Sequence, residues 1–226
     1  MKRAAAARFL GAGFVCASLI FAQAPTVAAP DLHLDATNLS GIFQELADYA
    51  THGEYAREIV QVASAAHGWV ETRTPKPGEK LAAVFDIDET LLSNVPNILQ
   101  CAFCSSSIQA QLFANHHLPP IPPVVDVYNF AKSKGVAVIL LTGRSEPGRA
   151  ATVADLTAAN ISGYAELLLR PAGNTQPAAI MKANARKGIE AKGYKIILSI
   201  GDQLSDLAGG YAERTYKLPN PFYFVE

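Results

Sequence analysis

Four short stretches of the 226-residue chain carry side chains that could do chemistry together. The first, VFDIDETLLSN at residues 84–94, closes an apolar run with Asp86 and Asp88 and follows them at once with Glu89. Three carboxylates within four residues repel one another, and a globular protein usually avoids that unless a cation or a reaction compensates. The others are LLTGR, which brings Thr142, Gly143 and Arg144; a lone Lys182; and GDQLSDL, which brings Asp202 and Asp206. Carboxylate oxygens alone suit a hard cation such as Mg²⁺, which keeps several waters and is held by one or two carboxylates plus a phosphate. A lysine and a threonine hydroxyl beside that cation would hold phosphate oxygens, since phosphoryl transfer is catalysed mainly by positioning and charge neutralisation. A carboxylate can also accept the phosphoryl group covalently.

Distant residues meet only if the fold delivers them to one edge. The runs LAAVFDI (from Leu81), VAVILLT (136–142), AELLL (165–169), KIILSI (195–200) and RTYKL (from Arg214) are near-continuous apolar or β-prone segments, as expected of strands buried on both faces. Helical stretches with usable stop signals lie between them: from about Val124 to Gly135, after Ser145-Glu146-Pro147, and after Pro177 to Gly193. The alternation predicts an α/β fold with a doubly wound, mostly parallel five-stranded sheet. In such sheets ligands bind beyond the carboxyl ends of the strands, where Asp86, Asp88, Thr142, Gly143 and Asp202 fall. Upstream, Ser40 to Thr72 reads as helix, with Tyr55, Ile59, Val62, Ala66 and Trp69 along one face. RTPKPGE (73–79) stops it.

The interval 95–123 interrupts the alternation and reads as a small inserted cap or loop. It holds Cys101 and Cys104, for which a local disulfide is expected; a redox centre fits less well, and a zinc site with His116 and His117 stays open. Lys2, Arg3 and Arg8, the apolar run Phe9 to Ala22 and the alanines beyond it have the pattern of a secretory signal peptide over residues 1–29, with A-x-A-like sites ending at Ala24 and Ala29. The apolar run is shorter than the roughly 20 residues of a membrane-spanning helix. Cys16 lies midway through the run after Val15, which argues against a lipid anchor. Export to the periplasm or outside the cell is the expectation, with residues 30–226 as one domain. Without the leader, 16 basic residues face 20 acidic ones, which argues against a nucleic-acid polymer as partner.

At these residues the chain resembles the haloacid dehalogenase (HAD) superfamily. VFDIDETLL is similar to its first motif (DxDxT), LLTGR to its second, Lys182 to its third and GDQLSDL to its fourth. The block from Met181 to Gly210 and the segment KLPNPFYF resemble the plant-type and bacterial non-specific acid phosphatases of subfamily III, class B/C-like. The resemblance implies that Asp86 attacks phosphorus to form an aspartyl-phosphate. Asp88 then serves as acid for the leaving alcohol and base for water. It implies Mg²⁺ held by Asp86, Asp202 and the Asp88 carbonyl, with the phosphoryl group bound by Thr142, Gly143 and Lys182. Asp206 is expected to support Lys182 or a metal-bound water rather than to ligate.

The function expected is hydrolysis of small-molecule phosphomonoesters by an exported Mg²⁺-dependent acid phosphatase. Transfer to an acceptor alcohol, or a non-catalytic storage or binding role on the same scaffold, are the alternatives. Arg144 reads equally as a substrate contact or a surface salt bridge, and Lys187 and Lys192 compete with Lys182. Glu89 is expected to turn away from phosphate into local hydrogen bonds. An aromatic-lined cap, with Phe103 and Phe113, would favour aryl or nucleotide substrates, whereas His116 and His117 read as solvated loop residues ahead of substrate contacts. The oligomeric state is not legible.

Overall fold

In a computed structural model, residues 38–105, 107, 108 and 117–225 are described. The expected leader and cleavage sites, Phe113 and His116 lie outside them. Among the described residues no helix is long and apolar enough to cross a membrane.

The segment expected to be one helix is two. Helix α1 (Leu39–Thr51) starts at Asn38, whose side chain accepts from the Gly41 N–H at 2.8 Å, and ends at His52. Gly53 follows with φ +90°, a left-handed conformation open to glycine at little cost, and α2 (Glu54–Thr72) begins after it. A lone glycine with no proline beside it is a weak stop signal, which hides the break from the sequence pattern. On α2 the buried residues are Tyr55, Ile59, Ala63, Ala66 and Val70, so Val62 and Trp69 sit at the margin of the buried face.

Strands β1 (Lys80–Phe85), β2 (Ala137–Ser145), β3 (Glu166–Arg170), β4 (Tyr194–Gly201) and β5 (Arg214–Lys217) form one sheet in the order β3-β2-β1-β4-β5, every pair parallel. Parallel neighbours require crossovers, and right-handed crossovers place helices by the direction of travel. From β1 to β3 the chain steps one way through α4 (Pro122–Ser133) and α5 (Arg149–Ala158). These pack with α2 against one face, on Ala83, Phe85, Val138, Leu140, Leu167 and Leu169. The return to β4 reverses direction, and α6 (Ala178–Ala191) lies on the other face, its Met181 and Ile189 on Ala82, Val84, Ile139, Leu141 and Ile196. The reversal opens a crevice between the carboxyl ends of β1 and β4, where ligands bind in doubly wound folds.

The insertion leaves and re-enters the body at a narrow clasp. The Ser93 N–H donates to Pro119 and the Ile121 N–H to Leu91, both at 2.9 Å. Inside it, α3 (Val95–Gln100) leads into a turn closed by a Cys101–Cys104 disulfide. The expected pairing is therefore present, and the thiolates a zinc site would need are consumed.

One irregularity in β4 ties α2 to the sheet. The β1 register jumps from Ala82↔Ile196 to Ala83↔Leu198, so Ile197 bulges out of the ladder. Its carbonyl accepts the Trp69 indole N–H at 2.8 Å, and the Trp69 ring carries the Arg214 guanidinium 4.0 Å above its centre. Nearby, Arg73 donates to Glu79 at 3.0 Å and through two nitrogens to Glu213 at 2.8 and 2.9 Å. The Arg73 hydrogen bond holds the Glu213 carboxyl below its ordinary pKa.

Trp69→Phe keeps the ring but orphans the Ile197 carbonyl, so it should cost about 1–3 kcal/mol, read as a lower urea midpoint at unchanged slope. An unaltered midpoint would show that the bulge finds another donor. A carboxyl depressed in the folded state stabilises above its unfolded pKa, and the benefit is lost as pH falls through the folded value. Arg73→Ala should therefore lower Tm by about 2–4 °C at pH 7 and progressively less below about pH 4. A deficit that persists undiminished at pH 3 would point to lost packing instead.

Candidate active site

Asp86 is the residue immediately after β1, and its N–H donates to the Ile200 carbonyl of β4 at 3.0 Å. Asp202 is the residue after β4, so the two carboxylates face each other across the crevice. Asp206 lies in the 3₁₀ turn Leu204–Asp206 that follows. One oxygen from each of the three falls within 4.8 Å of the others, and all three residues are buried.

The cation inside this cluster is Lys182, on the first turns of α6 and only 4% exposed. Its ammonium donates to Asp86 Oδ1 at 2.7 Å and to Asp206 Oδ1. Lys187 and Lys192, its rivals in the sequence, are exposed. Asp206 accepts from the Gln203 N–H with its other oxygen at 2.8 Å, so both its oxygens are engaged in support. Gly201 permits this approach: a Cβ there would lie 2.3 Å from Asp206 Oδ2. Arg186, one turn beyond Lys182, is fully buried and holds the loop by its carbonyls, donating to Asp206 at 2.6 Å, Gly210 at 3.0 Å and Ala208.

Burial pushes the Asp86 carboxyl well above the usual range; Lys182 opposes this, while Asp206, Asp202 and Asp88 add to it. Burial and then Asp206 push Asp202 up to about 6. Burial alone would lower Lys182, but Asp86 and Asp206 outweigh it and raise it. Three carboxylates against one ammonium leave two negative charges in a site sheltered from water, the deficit a divalent cation would balance. The donor set is oxygen only, as Mg²⁺ prefers. Ser205 belongs to the wall of the same cavity, and its buried Oγ has no hydrogen-bond partner among the described residues. The residues present fit such a cation.

Asp88 stands apart from this cluster. Arg144 donates from Nε to its Oδ2 at 2.9 Å and from a terminal nitrogen to its Oδ1 at 2.7 Å, while Asn94 donates to Oδ1 at 2.9 Å. Burial would raise this carboxyl, but the Arg144 charge and its hydrogen bonds prevail and hold it below the usual range. Arg144 is pinned in turn by Asp155 of α5 at 2.8 Å. It is thus a partly buried fork onto Asp88 rather than a surface salt bridge, and it lines the cavity. Thr142, buried within the second half of β2, accepts from the Arg144 N–H at 3.2 Å, and among the described residues its hydroxyl hydrogen has no acceptor. Gly143 beside it is exposed.

Asp86, Asp88, Thr142, Gly143, Lys182 and Asp202 all line one cavity of about 820 Å³, with Asp206 behind Lys182. Phe103, Phe222, Tyr223 and Phe224 form its aromatic side. Glu89 turns away as expected, fully buried and with φ +47°, and accepts from the Asn94 N–H at 2.5 Å. It also accepts from the Tyr223 hydroxyl, 134 residues along the chain, a partner no local pattern discloses. Burial and the Asp88 charge push its carboxyl up to about 8. His117 is exposed, 3.4 Å from Asp155 rather than in the cavity wall.

Comparison with known proteins gives the family and the fold. A family model, the HAD superfamily, subfamily IIIB (acid phosphatase), matches residues 18–226. Acid phosphatase 1 of Solanum lycopersicum is 31% identical over 192 residues, 80% of this chain and 75% of that one. Vegetative storage protein 2 of Arabidopsis thaliana is 30% identical over 180 residues, 77% and 68% of the two chains. The class C acid phosphatase from Bacillus anthracis shares the fold at a TM-score of 0.66 and 20% identity, over 80% of this chain and 86% of that one. With four motifs in order, a five-stranded parallel sheet and a family match across most of its length, the chain belongs to subfamily IIIB of the HAD superfamily, the acid phosphatases.

Proposed function

We propose that the protein is an exported, Mg²⁺-dependent acid phosphatase that hydrolyses small phosphate monoesters. The observation that carries this reading is the buried cluster of Asp86, Asp202 and Asp206 around Lys182, at the one crevice where the sheet order reverses. Asp86 and Asp202, with the backbone carbonyl of Asp88, would hold the cation. When bound, the cation supplies charge neutralisation at the transferring phosphoryl oxygens. Thr142, the Gly143 N–H and Lys182 hold the same oxygens and orient phosphorus toward Asp86.

Catalysis then runs in two displacements. An Asp86 carboxylate oxygen forms a bond to phosphorus as the ester P–O bond breaks, and Asp88 gives its proton to the leaving oxygen, which departs as the alcohol. Water next attacks phosphorus and passes a proton to Asp88, the acyl-phosphate P–O bond breaks, and phosphate leaves with the Asp86 carboxylate restored. The ionised Asp88 paired with Arg144 is the form that the second step uses. A cavity of about 820 Å³ with an aromatic side accommodates aryl and nucleoside leaving groups. Export is supported by the basic, apolar and small-residue pattern of residues 1–29.

A storage role is the second reading, favoured by the similarity to a vegetative storage protein. The intact set of Asp86, Asp88, Thr142, Lys182 and Asp202 weighs against it, since storage needs none of them. With p-nitrophenyl phosphate at acidic pH, a chelator should abolish turnover, added Mg²⁺ should restore it, and Asp86→Asn should lower kcat by at least about 10³-fold. Full turnover by Asp86→Asn would remove the covalent mechanism, and an inactive wild-type protein would favour storage. Product analysis with an added acceptor alcohol separates hydrolysis from transfer.

A further inference from the structure

The segment that follows β5 reaches back into the crevice. Asn220 uses both ends of its amide: Oδ1 accepts the Phe222 N–H at 2.9 Å, which leaves Nδ2 facing Asp202, where it donates to Oδ2 at 2.6 Å. Gln203 Nε2 donates to that same oxygen at 2.6 Å. Two amide donors thus occupy Asp202 Oδ2, and among the described residues none engages Oδ1. A carboxylate held by one oxygen presents the other in a fixed direction, which is what a cation with strict octahedral geometry demands.

Three further contacts hold the segment in place. The Tyr223 hydroxyl donates to buried Glu89, the Val225 N–H donates to Gln203 Oε1 at 3.1 Å, and the Phe222 ring meets Tyr55 edge-on with centres 5.3 Å apart. The same residues, Phe222 to Val225, form part of the cavity wall.

We propose that Asn220 is a positioning residue for the cation: by anchoring Asp202 Oδ2 it makes the segment 219–225 a determinant of metal affinity. This inference rests on the Mg²⁺-dependent reading above. The amide touches neither substrate nor cation and acts through Asp202. Because its carbonyl also accepts in the turn to Phe222, one side chain links the orientation of the metal ligand to the leaving-group wall.

The test uses two variants of the full chain. Asn220→Ala removes both contacts, whereas Asn220→Ser keeps a hydroxyl for the turn to Phe222 but is too short to reach Asp202. Mg²⁺ titration by calorimetry on folded protein should show affinity weaker by about 10-fold or more in both. The Mg²⁺ concentration for half-maximal hydrolysis of p-nitrophenyl phosphate should rise in parallel, and excess Mg²⁺ should restore kcat. A merely structural role would reduce the folded fraction and leave the affinity of the remainder unchanged. Wild-type Mg²⁺ affinity in folded Asn220→Ser therefore overturns the inference while leaving the phosphatase reading intact. A wild-type protein that neither binds Mg²⁺ nor hydrolyses the ester overturns both.

Discussion

Burying charge is the constraint around which the molecule is organised. Asp86, Asp202, Asp206 and Lys182 are each at most 5% exposed, and removing an ion from water costs several kcal/mol even after the protein relaxes. Burial first, and then the repulsion of neighbouring carboxylates that one ammonium cannot neutralise, hold Asp86 and Asp202 above their ordinary pKa. The arrangement is poor for stability and suited to a divalent cation, which would bring the positive charge it lacks. Asp88, by contrast, is balanced within the protein by Arg144 and falls the other way. Two carboxylates two residues apart thereby acquire opposite electrostatic characters, one short of a cation and one supplied with it.

Much of the surrounding structure serves to make that burial tolerable. Arg186, itself fully buried under the loop, donates to the carbonyls of Asp206, Ala208 and Gly210. Ser199 adds a hydrogen bond to the Asp206 carbonyl at 3.0 Å. Gly201 leaves room for the Asp206 side chain, so the backbone and the carboxylate occupy a volume that any Cβ would contest. On the other flank, Glu89 accepts from Asn94 and Tyr223, which binds the end of the first motif both to the start of the insertion and to the segment beyond β5.

Legibility in the sequence followed the range of the interaction. Strands were readable to within a residue or two at most ends, because burial on both faces leaves continuous apolar runs. Asp86, Asp88, Thr142, Gly143 and Asp202 were readable because strand ends in a doubly wound sheet converge, and the structure brings them to one cavity. The break at Gly53 was hidden because a lone glycine without a proline beside it is a weak stop signal, and Gly68 sits inside α2 without ending it. Arg144 was ambiguous because its partner lies 56 residues away, and Asn94, Asn220 and Tyr223 carry no periodic signal. Their importance comes from pairwise contacts across the fold, which a single sequence does not encode as a pattern.

The placement of α6 follows from topology rather than from its own composition. A chain that winds in one direction from β1 to β3 and then returns beside β1 must cross the opposite face, and α6 is the crossover that does so. Its early turns therefore lie over β1 and β4, whose ends carry Asp86 and Asp202. Lys182 and Arg186, four residues apart, share one face of the helix, so both reach the loop after β4 while Met181 and Ile189 pack on the sheet. Moving the lysine by one position would rotate it by about 100° around the helix and leave three buried carboxylates without their ammonium. The third motif is a single residue because the topology has already specified where it must stand.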